Sequence, residues 1–139
     1  MMSSTRNTSR TSRRTALPAI IAIVLLGVIT AFAHAQLLHS KPDDKAKLEN
    51  TPARVDLWFN ELLDEGFNTI EVYPVEELNS ETHTNLADRP PRVDPQDKTH
   101  LSATLHPLRP GKYIVDYRVL SRDGHTAPGR ITFIVLEKK

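Results

Sequence analysis

Residues 113–136, YIVDYRVLSRDGHTAPGRITFIVL, decide the fold of this chain. Apolar side chains alternate with other residues at the beginning and at the end of the stretch. The alternating apolar positions are Tyr113, Val115, Tyr117 and Val119, then Ile131, Phe133 and Val135. A period of two with β-branched and aromatic residues is typical of strands that bury one face. The stretch therefore predicts two β-strands, the second over 130–136.

Three earlier segments show the same alternation, at 54–59, 69–73 and 101–105. A long amphipathic helix is not indicated anywhere in residues 34–139. Only 60–67 (NELLDEGF) is compatible with a helical turn, and Asp43 to Glu49 is expected to be a polar loop. Several short strands without a long helix predict an all-β sandwich or barrel.

The segment 74–99 interrupts the pattern, because it is polar, acidic and rich in proline. A loop of this length in a small domain is either functional or mobile. It contains His83 and leads to His100. Since histidine is commonly exposed or half-buried, we expect both to be surface residues on a flexible connection.

The amino terminus predicts export. Residues 1–16 contain four Arg and no acidic residue, 17–33 are uncharged and mostly apolar, and small residues stand at Ala31 and Ala33. This pattern predicts a signal peptide over 1–33 and one exported domain over 34–139. Two alternatives remain open: an uncleaved membrane anchor, and a cut two residues later, after Ala35.

The composition of 34–139 limits the classes of function. The four Arg of the signal segment are lost on processing, which leaves 14 basic and 17 acidic residues and a net charge of −3. A mildly acidic domain without a basic cluster argues against nucleic acid as a partner. Cys is absent, so the exported domain has neither disulfides nor thiolate ligands. The sequence contains no nucleophile-with-base motif and no phosphate-binding glycine loop, and we expect no enzyme activity.

The candidate metal ligands are His34, Asp123 and His125. Cleavage after Ala33 makes His34 the first residue, so that its α-amine and imidazole are both available to one ion. Asp123 and His125 are two residues apart, and on an extended strand end their side chains point the same way. Three nitrogens and a carboxylate oxygen suit Cu(II). The alternative is an ordinary Asp-Gly turn with an exposed His beside it.

Three stretches of the chain form a recognisable set: the start of the expected exported domain (34–42, HAQLLHSKP), the strand 55–61 (VDLWFNE), and 110–115 (PGKYIV) followed by SRDGH at 121–125 and GRITF at 129–133. Together they resemble the CopC-like periplasmic copper-binding proteins. The resemblance implies a Greek-key β-sandwich or barrel of immunoglobulin-like type. It does not extend to the 74–99 segment.

The resemblance also implies a function. It assigns His34 as the ligand that binds Cu(II) through its amine and imidazole, His125 as the second imidazole ligand, and Asp123 as the carboxylate at the same ion. It implies one Cu(II) per mature chain and a role as a buffer or delivery carrier in periplasmic copper homeostasis or resistance. The partner that it suggests is an inner-membrane copper importer, and membrane contact is expected only if the signal segment is retained.

One departure from the family concerns sulfur. Many members have a Met-rich segment that binds Cu(I), because soft thioethers select that ion. Here the only Met are Met1 and Met2, and Cys is absent. We therefore expect no Cu(I) site.

Two other functions remain open. A copper oxidase also uses an amino-terminal His chelate, although Asp123 would then block a position that oxygen activation needs. A metal-free immunoglobulin-like envelope module is favoured if the signal is not cleaved. His39 and His106 receive no role.

Overall fold

A computed structural model describes residues 1–2 and 34–138 of the chain. Residues 3–33, which make up nearly all of the predicted signal segment, lie outside the described part. Within the described residues, no helix is long and apolar enough to cross a bilayer.

Eight strands make up the domain, and within the described residues they form two four-stranded sheets. In chain order they are β1 Leu37–Lys41, β2 Ala46–Leu48, β3 Arg54–Phe59, β4 Thr69–Pro74, β5 Arg92–Val93, β6 His100–Thr104, β7 Gly111–Leu120 and β8 Thr126–Val135. One sheet has the order β1-β3-β6-β5 and the other β2-β8-β7-β4. The prediction of an all-β sandwich is confirmed.

The core lies between the two sheets and follows the alternation in the sequence. Val55, Leu57 and Phe59 of β3 are at most 2% exposed, as are Val115 of β7 and Phe133 of β8. Burying one such side chain contributes about 1.5–3 kcal/mol. Because the chain has no disulfide, this packing is the main stabilising contribution.

The longest pairing joins β7 and β8, and it requires a glycine. The two strands pair over ten positions, with Tyr117 opposite Gly129. The Tyr117 ring lies directly over Gly129, where a Cβ atom would overlap the ring. The same ring packs edge-on against Phe59, with centroids 5.6 Å apart. Gly129 therefore allows β8 to carry this aromatic contact.

The structure differs from the sequence-based expectations in two places. Residues 60–67, the one segment compatible with a helical turn, do not form one, because their backbone bonds go to neighbouring segments, including a bridge from Leu63 to Ser121. Part of the 43–49 loop is a strand, β2, which pairs in parallel with β8. The Lys45 N–H donates to the Thr132 carbonyl, and the Thr132 N–H donates to the Asp44 carboxylate. These two bonds hold the start of β2 beside β8.

The 74–99 segment is only partly irregular. A 3₁₀ turn at Val75–Glu77 follows β4. Strand β5 also lies inside the predicted loop, and it pairs with β6, the strand that follows the loop. The Asn85 side chain accepts bonds from the N–H groups of Val72 and Ala87, each 3.0 Å long. The segment is therefore tied to both sheets.

Candidate metal site

Three connections meet at one end of the sandwich. They are residues 34–36 before β1, 60–68 between β3 and β4, and 121–125 between β7 and β8. Strand pairing brings them together, because Leu37 at the start of β1 faces Phe59 at the end of β3. The predicted ligands lie on the first and third of these connections.

His34 and His125 lie close together although 91 positions separate them. Their ring centroids are 5.7 Å apart, with an angle of 48° between the planes. His34 is exposed, and the side chain of His125 is 59% exposed. This separation is of the size that two imidazoles have when they bind one ion at a metal–nitrogen distance of about 2 Å.

Asp123 contacts His125 rather than pointing away from it. Its Oδ2 lies 3.1 Å from Nδ1 of His125, and its Oδ1 accepts the His125 N–H at 3.1 Å. Its Oδ1 also accepts a very short hydrogen bond from the Ser121 hydroxyl. The Ser121 bond, followed by the bonds from His125, lowers the pKa of Asp123 to about 2. The carboxylate is therefore ionised at any pH near neutrality.

The carboxylate also sets the tautomer of His125. A proton on Nδ1 can be donated to Asp123, which leaves Nε2 as the free nitrogen that faces away. A carboxylate behind a histidine in this way fixes the ring of a metal ligand. The backbone at 122–124 forms a turn, with Gly124 at φ 91°, and not the extended strand end that the sequence predicts.

The full ligand set is not assembled in the uncleaved chain. Within the described residues, no three His, Asp or Glu side chains stand close enough to hold a metal ion. Two imidazoles are adjacent, but Asp123 is turned to Ser121 and His125. The third predicted nitrogen, the α-amine of His34, is a peptide nitrogen until the bond to Ala33 is cut.

The 60–68 connection holds the amino-terminal segment. The Asn60 side-chain oxygen accepts the N–H of Gln36 at 2.7 Å, and the Asn60 N–H donates to the Gln36 carbonyl at 3.1 Å. Gln36 is two residues from His34. Asn60 therefore fixes the chain immediately after the predicted ligand.

The same connection also holds the 121–125 turn. Asp64 N–H donates to the Leu120 carbonyl at 2.8 Å, and Arg122 N–H donates to the Leu62 carbonyl at 2.9 Å. The Asn68 side chain completes the arrangement, because its oxygen accepts the Leu120 N–H at 2.9 Å. The turn that carries Asp123 and His125 is thus bonded along its first half.

His100, predicted to be a surface residue, is buried. It is 8% exposed on β6, and its Nε2 lies 2.8 Å from Oδ1 of the buried Asp56. Its Nδ1 faces Asp94 at 3.4 Å. The prediction is wrong because Trp58 stacks on the His100 ring and two carboxylates lie at its nitrogens, and these contacts exist only in the tertiary structure.

An aromatic stack crosses the outer face of the first sheet. His39 of β1 lies 4.4 Å from Trp58 of β3, and Trp58 lies 4.3 Å from His100, with all three rings nearly parallel. Strand register explains it, since Trp58 pairs with both His39 and His100. The sequence indicates the outward position of Trp58 but not its two partners.

His83 is half-buried and not a free surface residue. Its ring stacks on the buried Tyr73 with centroids 3.9 Å apart. The Tyr73 hydroxyl donates to Asp116 at 2.6 Å. His106 lies at the surface: its side chain is 55% exposed, with Asp88 at 3.6 Å.

Comparison with known proteins gives consistent matches over the described domain. A family model described as the CopC domain matches residues 37–136. Protein YobA of Escherichia coli K12 is 31% identical over 118 residues, which cover 83% of this chain and 90% of YobA. Copper resistance protein C of Pseudomonas syringae pv. tomato is 30% identical over 123 residues, covering 88% and 96%. The crystal structure of CopC from Methylosinus trichosporium OB3b matches with a TM-score of 0.67 at 23% identity, covering 76% and 97%.

Proposed function

The chain belongs to the CopC family, and we propose that it handles copper as an exported Cu(II)-binding protein. The juxtaposition of His34 and His125 carries this proposal. Of the six histidines, these two are the pair whose rings meet at an exposed end of the domain. The similarity to a relative named copper resistance protein C supports the same class of function.

The proposed site needs processing of the chain. Cleavage after Ala33 yields a mature protein of residues 34–139 and releases the α-amine of His34. That amine, the two imidazoles and the Asp123 carboxylate then form the N/N/N/O set that suits one Cu(II) per mature chain. Asp123 is ionised already, because its pKa is about 2. It binds the ion by turning from His125, or it holds the ring of His125 while the ion binds Nε2.

The proposed role is that of a periplasmic buffer or delivery carrier in copper homeostasis or resistance. An exposed site at the end of a domain suits exchange of an ion with another protein. The partner that we propose is an inner-membrane copper importer. No enzyme activity is proposed, because the sequence contains no nucleophile-with-base motif and no phosphate-binding glycine loop.

The first test determines whether the site exists. Intact mass of the exported protein is expected to correspond to a chain beginning at His34. Cu(II) titration is expected to give one tight equivalent, and His125→Ala is expected to weaken binding by at least tenfold, because one of the ligands is lost.

His106→Ala is the matched control, since His106 is also an exposed His beside a carboxylate. It is expected to leave the affinity unchanged. A chain that begins at Gln36 or keeps residues 1–33, or a His125→Ala protein that binds Cu(II) like the unchanged chain, contradicts the proposal. Copper-dependent peroxide formation would favour the oxidase alternative instead.

A further inference from the structure

We infer that residues 60–68 act as a bracket that holds the two halves of the copper site together, with Asn60 and Asn68 as positioning residues. This inference rests on the proposed function, because the bracket serves copper binding only if His34 and His125 bind the ion. The hydrogen bonds that form the bracket, however, are present in the metal-free chain. Neither asparagine is among the proposed ligands. Each one bonds a backbone amide close to a ligand.

The first half of the bracket acts on His34. Short chain termini fray unless something ties them to the fold. Gln36 is tied by two bonds to one residue, because Asn60 offers both its side-chain oxygen and its backbone N–H. Only Ala35 separates Gln36 from His34, so these two bonds restrict where the amine and the imidazole of His34 can lie.

The second half acts on the turn that carries His125. The Asn68 side chain spans its own connection and the turn: Nδ2 donates to the Asp64 carbonyl at 2.6 Å, and Oδ1 accepts the Leu120 N–H at 2.9 Å. The bond from Asp64 N–H to the Leu120 carbonyl closes the same contact. The start of the turn is therefore hydrogen-bonded to the bracket on both its N–H and its carbonyl side.

A buried anchor makes the bracket rigid between its two ends. Leu63 is 1% exposed, and its N–H donates to the Lys98 carbonyl at 2.8 Å. It also forms a bridge with Ser121. The connection is thus fixed to the core midway between Asn60 and Asn68, and a displacement of one half is resisted by the other.

Such a bracket raises affinity through preorganisation. His34 and His125 are distant in sequence, and a site whose ligands are already adjacent loses less conformational entropy when the ion binds. The bracket fixes both ligand-bearing segments before copper arrives. A ligand set held only by the metal would have to order the amino terminus on binding.

The experiment uses the exported, processed protein with Cu(II) as the probe. Asn60→Ala removes the side-chain bond to Gln36 and is expected to weaken Cu(II) binding roughly 2- to 10-fold, the range for one hydrogen bond. Asn60→Asp keeps an acceptor at the same place and is expected to restore the affinity. Asn68→Ala tests the other half independently and is expected to weaken binding by at least as much, since it loses two bonds.

Asn85→Ala is the matched control. The Asn85 side chain also accepts two backbone N–H bonds in a connection, but it bonds Val72 and Ala87 and neither half of the site. It is expected to lower the melting temperature about as much as Asn60→Ala does and to leave the copper affinity unchanged. Equal loss of affinity in all the variants, or no loss in Asn60→Ala and Asn68→Ala, overturns the bracket.

A measurement without metal separates this inference from the proposed function. In the metal-free protein, Asn60→Ala is expected to speed hydrogen exchange at the Gln36 amide and to abolish the NOE between the His34 and His125 rings. If the unchanged protein shows that NOE but does not bind Cu(II), the proposed function fails and the bracket stands. If the NOE persists in Asn60→Ala, the bracket is wrong whatever the copper affinity.

Discussion

At the scale of single residues, Asp123 has the most distinctive environment at the proposed site. Three bonds converge on it, from the Ser121 hydroxyl and from the backbone and ring of His125. They stabilise the charged form and explain a pKa of about 2. At the proposed site, copper therefore displaces no proton from Asp123. Protons compete with copper only for the nitrogen ligands.

Ser121→Ala is the substitution that tests this environment. It removes the largest cause of the shift, so the pKa of Asp123 is expected to rise from about 2 towards the ordinary 3.8. A lowered pKa stabilises the folded state above the unfolded value, and that stabilisation is lost as pH falls from about 4 through 2. Ser121→Ala should therefore flatten the fall in stability over this window.

The pKa of Asp123 can be followed by NMR titration of its carboxyl carbon. Ser102→Ala, on β6 and away from the turn, is a suitable control. An unchanged titration in Ser121→Ala would show that the hydroxyl does not set the pKa. Copper affinity near neutral pH should still fall with falling pH in both proteins, because the amine and the imidazoles take up protons.

At the scale of elements, the pairing of β7 with β8 positions the turn that carries Asp123 and His125. The pairing reaches from Gly111 and Val135 to Leu120 and Thr126, directly beside the turn. Gly129 lies within it, under the Tyr117 ring. Disruption of this contact is therefore expected to lower the free energy of unfolding of the domain, while the proposed ligands themselves are unchanged.

Gly129→Ala is expected to destabilise the domain by about 1–3 kcal/mol, the usual cost of forcing an extra methyl into a packed contact. The added Cβ overlaps the Tyr117 ring, which cannot move freely because it also packs on Phe59. Denaturant unfolding measures the change.

Gly66→Ala serves as the control for Gly129→Ala. A Cβ atom at Gly66 meets its nearest neighbour, Asp64 Oδ1, at an ordinary 3.5 Å. We expect Gly66→Ala to change the free energy of unfolding by less than about 1 kcal/mol, because the backbone there is open to Ala and the substitution mainly reduces the entropy of the unfolded chain. A Gly129→Ala protein as stable as Gly66→Ala would show that the ring moves aside.

At the scale of the whole molecule, the composition of the side chains favours one oxidation state of copper at the proposed site. Residues 34–139 contain no Met and no Cys and therefore offer no soft sulfur ligand. The proposed site is made of imidazole, amine and carboxylate, which suit Cu(II). This composition distinguishes the chain from family members with a Met-rich segment.

Reduction is therefore expected to release the metal. Ascorbate added to the Cu(II)-loaded protein should convert the ion to Cu(I) and transfer it to a Cu(I) chelator at least tenfold faster than chelator alone removes Cu(II). Absorbance of the Cu(I) chelator complex measures the release. Tight retention of Cu(I) after reduction contradicts the prediction, and a histidine variant such as His39→Ala would then show whether His39 holds it.

The sequence by itself determined most of the strands and named the candidate ligands. A period of two identifies strands locally, because alternate side chains face the core. It located β3, β4, β6 and β7 to within two residues, and it located the second half of β8. The candidate ligands His34, Asp123 and His125 came from an export signal, a short motif and the family resemblance, and their role stays a prediction.

Only the tertiary structure decided what lies against what. It placed His34 beside His125, buried His100 against Asp56, and paired β2 with β8. It also showed that the connection 60–68 bonds both to the amino-terminal segment and to the 121–125 turn. These contacts join residues far apart in the chain, and a local pattern contains no information about the partner that covers it. That is why the sequence could name candidate ligands, whereas the contacts of residues 60–68 with the segments on either side of them appeared only in the tertiary structure.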